Sequence, residues 1–325
     1  QHSVKDLREI GIQPDLILCR TNQPLPEEIK AKISLFCNVS RQDVITAEDV
    51  KNIYHVPLKF AREGLIERIA SRLEVPIGRV NLAPWEELAR RMDAPSGVVS
   101  VAMVGKYVEL IDAYKSLNEA LVHGGVANDT RVETHWIEAE DITAENAAEV
   151  LGAFDAVLVP GGFGTRGIEG KINAIGYART AKVPFFGICL GMQCAVIEFA
   201  RHVCGLAGAN STEFEPDSPY KVFLKLRELL GVEEMGGNMR LGAYPCRLSP
   251  DSLAERVYGA PEIGERHRHR YEFNRSYEEI LIRHGLRISG LSPDEKFVEI
   301  VELPDHPWFL GCQFHPEFKS KPLAP

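Results

Sequence analysis

The chain has 325 residues, of which 45% are hydrophobic and 26% are charged, a composition typical of a soluble globular protein and unlike that of disordered or collagen-like chains. Its net charge of −9 argues against a nucleic-acid-binding protein, because such proteins present a basic face. The longest apolar runs are far shorter than the roughly 20 residues that cross a bilayer, so we predict no transmembrane helix and no membrane partner.

Seven cysteines are scattered along the chain, and no two of them form a CxxC pair. This spacing predicts neither a zinc site nor a thioredoxin-type motif, so we expect no metal site in this chain. Scattered, odd-numbered cysteines favour a reducing cytoplasm. The chain starts without a Met or a leader-like segment, and we expect it to be the C-terminal part of a longer protein.

Three segments are predicted along the chain. Residues 1–75 alternate helix and strand signals, including a buried strand at 15–20, and resemble the tail of an α/β domain too small to bury a good core alone. Residues 76–97 are rich in Pro and Gly and predict an interdomain linker with one short helix. Residues 98–325 predict a second α/β domain.

In this second domain, helix signals separate strand signals at 98–104, 132–137, 155–159 and 183–188. That pattern is typical of a parallel sheet covered by helices on both faces. After about residue 240 the strands become short and closely spaced, which predicts an antiparallel extension. The fold class is therefore α/β with a mainly parallel central sheet.

The strongest functional signal is VPFFGICLGMQCAVIEFA at 183–200. An apolar strand runs into G-x-C-x-G and then into a helix, which is the nucleophile-elbow pattern with Cys189 in place of Ser. The flanking glycines permit a tight turn, and the helix N-terminus favours the thiolate. We predict that Cys189 is a nucleophile. A small buried cysteine in a core turn is the alternative interpretation.

Two other segments complete this pattern. DAVLVPGGFGTRG at 155–167 ends a strand in a glycine-rich loop, which can supply one oxyanion donor while the N–H of Leu190 supplies the other. WFLGCQFHPEF at 308–318 carries His315 and Glu317. In an extended segment these two side chains point the same way, so Glu317 could orient His315 towards Cys189 as in a catalytic triad. A simple turn and an ordinary buried histidine are the alternatives.

Two polar clusters are candidate ligand groups. Glu213, in NSTEFEPD, could bind an ammonium group. Alternation along ERHRHRYEFN places Arg266, Arg268 and Arg270 on one face of a strand. We interpret these arginines as an anion or carboxylate site, with a solvated charge run as the alternative.

GICLGMQ, QFHPEF and PGGFG together resemble the class I (triad) glutamine amidotransferases. QHSVKDLREIGIQPDLILCR, MVGKYVELIDAYKSLNEAL, NSTEF and ERHRHRYEFN are similar to the CTP synthases of that family, and the resemblance covers nearly the whole chain. It implies a ligase in which a glutaminase passes ammonia to a synthetase that converts UTP to CTP with ATP. Residues 1–75 would then end the synthetase domain, and residues 98–325 would form the glutaminase.

The resemblance also implies roles for individual residues. Cys189 would attack glutamine and form a glutamyl thioester, with His315 as acid and base and Glu317 holding it. Gly162 and Leu190 would donate to the oxyanion. The remaining implied contacts are Gly162, Leu190, Gly191, Met192, Gln193, Glu213 and Arg270 for glutamine; Gln1, Arg20, Lys32, Asp49 and Val50 for ATP or UTP; and Phe163 and Lys115 for the activator GTP.

For the full-length enzyme the resemblance implies Mg²⁺ with ATP and a cytoplasmic homotetramer. The family's glycine-rich phosphate loop and acidic magnesium ligands are not in this chain, so amination of UTP by these residues alone is not expected. Two alternatives stay open: the glutaminase of another class I amidotransferase, and a catalytically silent regulatory or assembly module.

Overall fold

The structure is a computed structural model that describes residues 2–106, 114–230 and 239–325. It forms two compact units, Gln1–Ser96 and Gly97–Pro325. Among the helices within those ranges, none is both long enough and apolar enough to cross a membrane.

The first unit contains a small parallel sheet and five helices. Its elements are α1 (His2–Glu9), β1 (Ile17–Thr21), α2 (Glu27–Cys37), β2 (Val44–Glu48), α3 (Val56–Arg62), α4 (Leu65–Leu73) and α5 (Ala83–Asp93). Strand β1 pairs with β2, with Ile17 opposite Val44. The expectation that β1 is buried throughout is wrong: its residues alternate between half-buried and exposed, and Leu18 is 47% exposed, because only one face of the strand is covered within this unit.

Helix α5 lies inside the segment predicted as a linker. The Trp85 ring stacks on that of Tyr54 with centroids 6.5 Å apart, and His55 Nε2 is 3.1 Å from Asp93 Oδ2. These contacts hold residues 83–93 against the rest of the first unit.

The second unit has a large sheet flanked by helices. Its strands are β3 (Gly97–Gly105), β4 (Thr130–Glu138), β5 (Ala156–Val159), β6 (Phe185–Ile188), β7 (Ala209–Ser211), β8 (Tyr220–Lys225), β9 (Arg240–Leu248), β10 (Glu262–His269), β11 (Tyr271–Phe273), β12 (Arg287–Leu291), β13 (Val298–Glu302) and β14 (Phe309–Cys312). Its helices are α6 (Lys115–Ala127), α7 (Ala147–Leu151), α8 (Ile168–Ala181), α9 (Leu190–His202), α10 (Leu226–Leu230), α11 (Leu253–Tyr258) and α12 (Glu278–Arg283).

The strand order of the large sheet, within the described ranges, is β10-β9-β12-β13-β14-β6-β5-β3-β4. Pairing is parallel from β14 through β6, β5 and β3 to β4, and antiparallel from β10 to β14. The predicted α/β class with an antiparallel extension is confirmed. Because β6 and β14 are parallel neighbours, their carboxyl ends meet at one edge of the sheet, where α/β proteins commonly bind ligands.

A second, three-stranded sheet of order β11-β8-β7 was not expected from the sequence. It separates the arginines of ERHRHRYEFN. Arg266 and Arg268 are exposed on β10, but Arg270 falls between β10 and β11, which belong to different sheets. The prediction of one strand face is confirmed for Arg266 and Arg268 and is wrong for Arg270, because the chain leaves the large sheet at Arg270 to pair with β8.

The core lies on both sides of the large sheet. On β3, Ala102 and Val104 pack in the apolar cluster that contains α8 and α9, whereas Val101 and Met103 pack in the cluster that contains Leu117 of α6. This division follows from the alternation of side chains along a strand. Helices therefore cover both faces and leave the edge formed by the strand ends open for a site.

Candidate active site

Cys189 sits at the turn between β6 and α9 with φ 52° and ψ −100°. Few non-glycine residues adopt positive φ, and strain of this kind is stored mainly at functional sites. The flanking glycines are required by space: a Cβ on Gly187 would lie 2.7 Å from the Gly191 carbonyl carbon, and one on Gly191 would lie 2.1 Å from the Val159 oxygen. The backbone thus has the geometry of a nucleophile elbow.

His315 and Glu317 lie beside this cysteine. His315 Nδ1 is 2.8 Å from Glu317 Oε1, and the imidazole and Cys189 line the same cavity. The pair does not form as the sequence suggested, because β14 ends at Cys312 and Pro316–Phe318 is a 3₁₀ turn. Pro316 at the start of that turn brings Glu317 back to the ring, instead of an extended segment aligning the two side chains.

The environment of His315 decides its charge. Burial by itself lowers its pKa, but the neighbouring Cys189 and Glu317 side chains raise the pKa to about 10. At neutral pH the imidazole is therefore protonated, which places a positive charge next to the cysteine sulfur. By contrast, burial raises the pKa of Cys194 to about 12 and that of Cys204 to about 11, so neither is suited to attack as a thiolate.

The glycine-rich loop after β5 closes one side of the site. A Cβ on Gly161 would lie 2.6 Å from His315 Cε1, and one on Gly162 would lie 3.3 Å from Leu190 Cδ2. Leu190 is the first residue of α9, so its N–H has no partner within the helix and is available to a ligand. The loop and the helix N-terminus therefore meet beside Cys189.

A cavity of about 190 Å³ opens at this point. It is lined by Tyr114, Ser116, Leu117, Pro160, Gly161, Gly162, Phe163, Cys189, Arg268, His315, Glu317 and Phe318. The Arg268 guanidinium lies 5.9 Å from the centre of the Phe163 ring. Lys115 begins α6, one residue before the lining residue Ser116.

Of the predicted glutamine contacts, Gly162 lines that cavity, and the others are not among its lining residues: Leu190, Gly191, Met192, Gln193, Glu213 and Arg270. Glu213 Oε1 accepts a hydrogen bond of 2.9 Å from the Gly164 N–H. Burial raises the pKa of Glu213, while Gly164, Lys106 and Arg270 lower it less strongly. Gly191, Met192 and Gln193 lie in the first turns of α9 and are buried.

In the Gln193 side chain, the amide nitrogen has hydrogen-bond partners among the described residues and the amide oxygen has none. Its Nε2 donates to Gln313 Oε1 at 3.2 Å and lies 3.4 Å from the Tyr271 oxygen, while its buried Oε1 has no partner in the structure. A buried acceptor without a partner is costly.

Sequence reasoning missed Gln313. Its Nε2 donates to Cys189 Sγ at 3.6 Å, and the residue is fully buried. The signal that could have found it is its place at the end of β14, since a strand pairing beside β6 must bring its last residues to the elbow.

The predicted nucleotide contacts of the first unit are only partly brought together. Arg20 Nε is 2.9 Å from Asp49 Oδ1. Asp49 and Val50 line a cavity of about 280 Å³ whose walls also carry the cations Lys51, Lys59 and Arg62. Lys32 is exposed on α2 and is not among the residues lining this cavity, and Gln1 lies outside the described residues.

No group of three or more His, Cys, Asp or Glu side chains in the described part of the chain could hold a metal ion.

Comparisons with known proteins agree with this geometry. The family model "Glutamine amidotransferase class-I" matches residues 109–325, and "CTP synthase N-terminus" matches residues 1–75. The protein named CTP synthase from Acidobacterium capsulatum is 61% identical over 100% of this chain and 59% of its own length, and that from Syntrophus aciditrophicus is 60% identical over 100% of this chain and 60% of its own length. The chain thus spans about 60% of the length of these curated relatives.

A solved structure resembles the second unit. The glutaminase domain of the Trypanosoma brucei CTPS with bound acivicin is 39% identical, with a TM-score of 0.66, over 70% of this chain and 89% of that one.

Proposed function

Because the chain belongs to the class-I glutamine amidotransferase family, we propose that its second unit hydrolyses glutamine and that the full-length protein is a CTP synthase. The observation that carries the proposal is that Cys189, His315 and Glu317 line one cavity, in which His315 Nδ1 lies 2.8 Å from Glu317 Oε1. The match of residues 1–75 to the CTP synthase N-terminus supports this branch over other amidotransferases.

In the first step the Cys189 thiolate attacks the side-chain amide carbon of glutamine and a C–S bond forms. The carbonyl oxygen becomes an oxyanion, which the N–H groups of Gly162 and Leu190 stabilise. The His315 imidazolium then gives its proton to the amide nitrogen, the C–N bond breaks, and ammonia leaves. A glutamyl thioester on Cys189 and a neutral His315 remain.

In the second step neutral His315 takes a proton from water, and the resulting hydroxide attacks the thioester carbon. The C–S bond breaks, glutamate leaves, and the thiolate–imidazolium pair is restored. Glu317 keeps the ring oriented and stabilises its charge in both steps.

Glutamine is held by groups around the elbow. The half-buried side chain of Glu213 and the unpartnered Oε1 of Gln193 are the acceptors we assign to the substrate ammonium group. Arg270, whose charge acts on Glu213, suits the substrate carboxylate because a guanidinium matches carboxylate geometry. The backbone of Gly191 and Met192 completes the substrate site.

For the synthetase reaction we assign Arg20, Asp49 and Val50 to ATP, Lys32 to UTP or phosphate, and Gln1 to the end of a nucleotide-binding loop. Cations around the Asp49 cavity support binding of a polyphosphate. Mg²⁺ would accompany ATP in the full-length enzyme, but the described residues offer no cluster for it, so no step here depends on a metal.

GTP is proposed as the activator, contacting Phe163, whose ring is 42% exposed beside the active-site cavity, and Lys115. We further propose that the full-length protein is a cytoplasmic homotetramer. Its cysteines are unpaired in the structure, which agrees with a reducing compartment.

The test is glutamate release from glutamine by this chain, with and without GTP. We expect release to be abolished in Cys189→Ala and retained in the matched variant Cys204→Ser. Stimulation by GTP would support the CTP synthase branch. Release that persists unchanged in Cys189→Ala would refute the assignment of the nucleophile.

A second measurement tests the glutamine site even if this chain hydrolyses glutamine slowly. A diazoketone analogue of glutamine should label Cys189 alone, and excess glutamine should protect it. Absence of labelling in a chain whose Cys189 still reacts with iodoacetamide would refute a glutamine site.

A further inference from the structure

Gln313 is the one side chain amide that touches the nucleophile in the described part of the chain. It follows β14 directly, its backbone N–H donates to the Glu299 oxygen at 2.8 Å, and the residue is fully buried. Its Nε2 lies 3.6 Å from Cys189 Sγ, within range for an N–H donor to sulfur. The backbone of Cys312, the residue before Gln313, is also held to the nucleophile, because the Cys189 N–H donates to the Cys312 oxygen at 2.7 Å.

The orientation of the Gln313 amide is determined by its neighbours. Its Oε1 accepts from Gln193 Nε2 at 3.2 Å, and that same nitrogen lies 3.4 Å from the Tyr271 oxygen. If the Gln313 amide were flipped, its NH₂ would face the NH₂ of Gln193 and its oxygen would face the sulfur. Both contacts would then be lost, since two donors cannot bond each other and an oxygen cannot donate to a thiolate.

We propose that Gln313 is a positioning residue that donates its amide N–H to the Cys189 sulfur and links the orientation of this sulfur to Gln193. The proposal rests on the glutaminase function proposed above. A hydrogen bond to a charged group is stronger than one to a neutral group, so this N–H stabilises the thiolate more than the neutral sulfur of the thioester. It therefore favours both the resting nucleophile and the return of the sulfur as a leaving group during thioester hydrolysis.

The arrangement also couples substrate binding to the nucleophile. Gln193 uses its nitrogen on Gln313, and its buried oxygen has no partner in the structure. An ammonium group bound to that oxygen would hold the Gln193 amide in the orientation that Gln313 needs. A purely structural role for Gln313 is a poorer explanation, because an apolar side chain of the same size would fill the space without the cost of burying an amide.

The test compares Gln313→Leu with wild type in the rate of Cys189 alkylation by iodoacetamide across pH, with the modified cysteine identified by mass spectrometry. We expect alkylation at pH 7 to fall about 10-fold or more, as for loss of a hydrogen bond to a charged group. This reagent needs no glutamine site, so the result does not depend on the proposed function. An alkylation profile identical to wild type would overturn the proposal.

The matched control is His306→Leu. His306 is also buried, its Nε2 is 3.1 Å from the Ala178 oxygen, and it lies at the opposite end of β14 from Cys189. We expect this variant to lose thermal stability but to keep the wild-type alkylation profile. If its profile moved as far as that of Gln313→Leu, the effect would be one of general loosening and the proposal would fail.

A second variant tests the proposal if Gln313→Leu does not fold. Gln313→Glu has nearly the same shape but donates to the sulfur only while its carboxyl is protonated. We expect alkylation close to wild type at low pH and a progressive loss relative to wild type as the carboxyl ionises. A constant ratio to wild type at all pH values would contradict the proposal.

Discussion

The proton on His315 is held by its neighbours. Burial lowers the pKa of this imidazole, and the neighbouring Cys189 and Glu317 side chains together raise it to about 10. The site therefore rests at neutral pH with the acid that must protonate the leaving nitrogen already charged. A general acid prepared in this way makes the first chemical step depend on Glu317 although Glu317 touches no reacting atom.

Replacing Glu317 with Gln keeps the shape of the side chain and removes its charge. We expect the pKa of His315 to fall, the alkaline limb of the glutamine hydrolysis profile to move to lower pH, and kcat at pH 7 to drop about 10- to 100-fold. The measurement is the pH–rate profile of Glu317→Gln beside that of Glu279→Gln, a change at an exposed ion pair on α12 that should leave the profile unaltered. An alkaline limb that does not move in Glu317→Gln would rule out this role.

At the scale of elements, a buried ionic cluster joins the antiparallel strands. Arg240 of β9 lies 2.6 Å from Glu299 of β13 and 3.3 Å from Glu272 of β11, and His269 of β10 lies 2.7 Å from Glu272. Burial raises the pKa of Glu299 to about 7, although Arg240 opposes the shift. Breaking such a buried pair is costly because it leaves a charge without compensation.

The raised pKa of Glu299 predicts the sign of a pH effect on stability. Between the unfolded value near 4.5 and about 7 the folded state binds the proton more tightly, so the free energy of unfolding falls as pH rises through this window. Across this pH window we expect the free energy of unfolding of wild type to fall by up to about 3 kcal/mol relative to that of Glu299→Gln.

Urea unfolding of the second unit at pH 5 and pH 8 measures this difference, again with Glu279→Gln as the control. Parallel pH dependences for wild type and Glu299→Gln would contradict the assignment.

For the whole molecule, the site belongs to one of the two units. The described contacts of Cys189, His315 and Glu317 all come from residues of Gly97–Pro325. The two large apolar clusters also consist of residues of that unit, whereas the first unit leaves side chains such as Leu35 and Phe36 more than 60% exposed.

We therefore predict that residues 97–325 fold without the first unit and keep an intact elbow. Cys189 in this fragment should be alkylated by iodoacetamide within about twofold of its rate in the whole chain, and the fragment should unfold cooperatively. A folded fragment whose Cys189 has lost more than tenfold in reactivity would show that the first unit helps to form the site.

The sequence by itself determined the features that depend on neighbouring residues. Gly187, Cys189 and Gly191 predicted the elbow because the turn needs small residues at fixed spacing, and the structure has that turn. The strands β3 to β6 and the helices between them followed from apolar periodicity. The roles of His315, Glu317 and the ligand residues came from motif and resemblance, and they stand as proposals.

Only the tertiary structure decided what depends on strands far apart in the chain. Gln313 reaches Cys189, 124 positions away, because β14 inserts between β6 and β13, and no local pattern specifies that pairing. The end of β10 before Arg270 has the same origin, since the chain leaves the large sheet there and β11 pairs with β8. Local sequence sets which elements form, whereas burial of their apolar faces against one another chooses the strand order and so decides which side chains share the site.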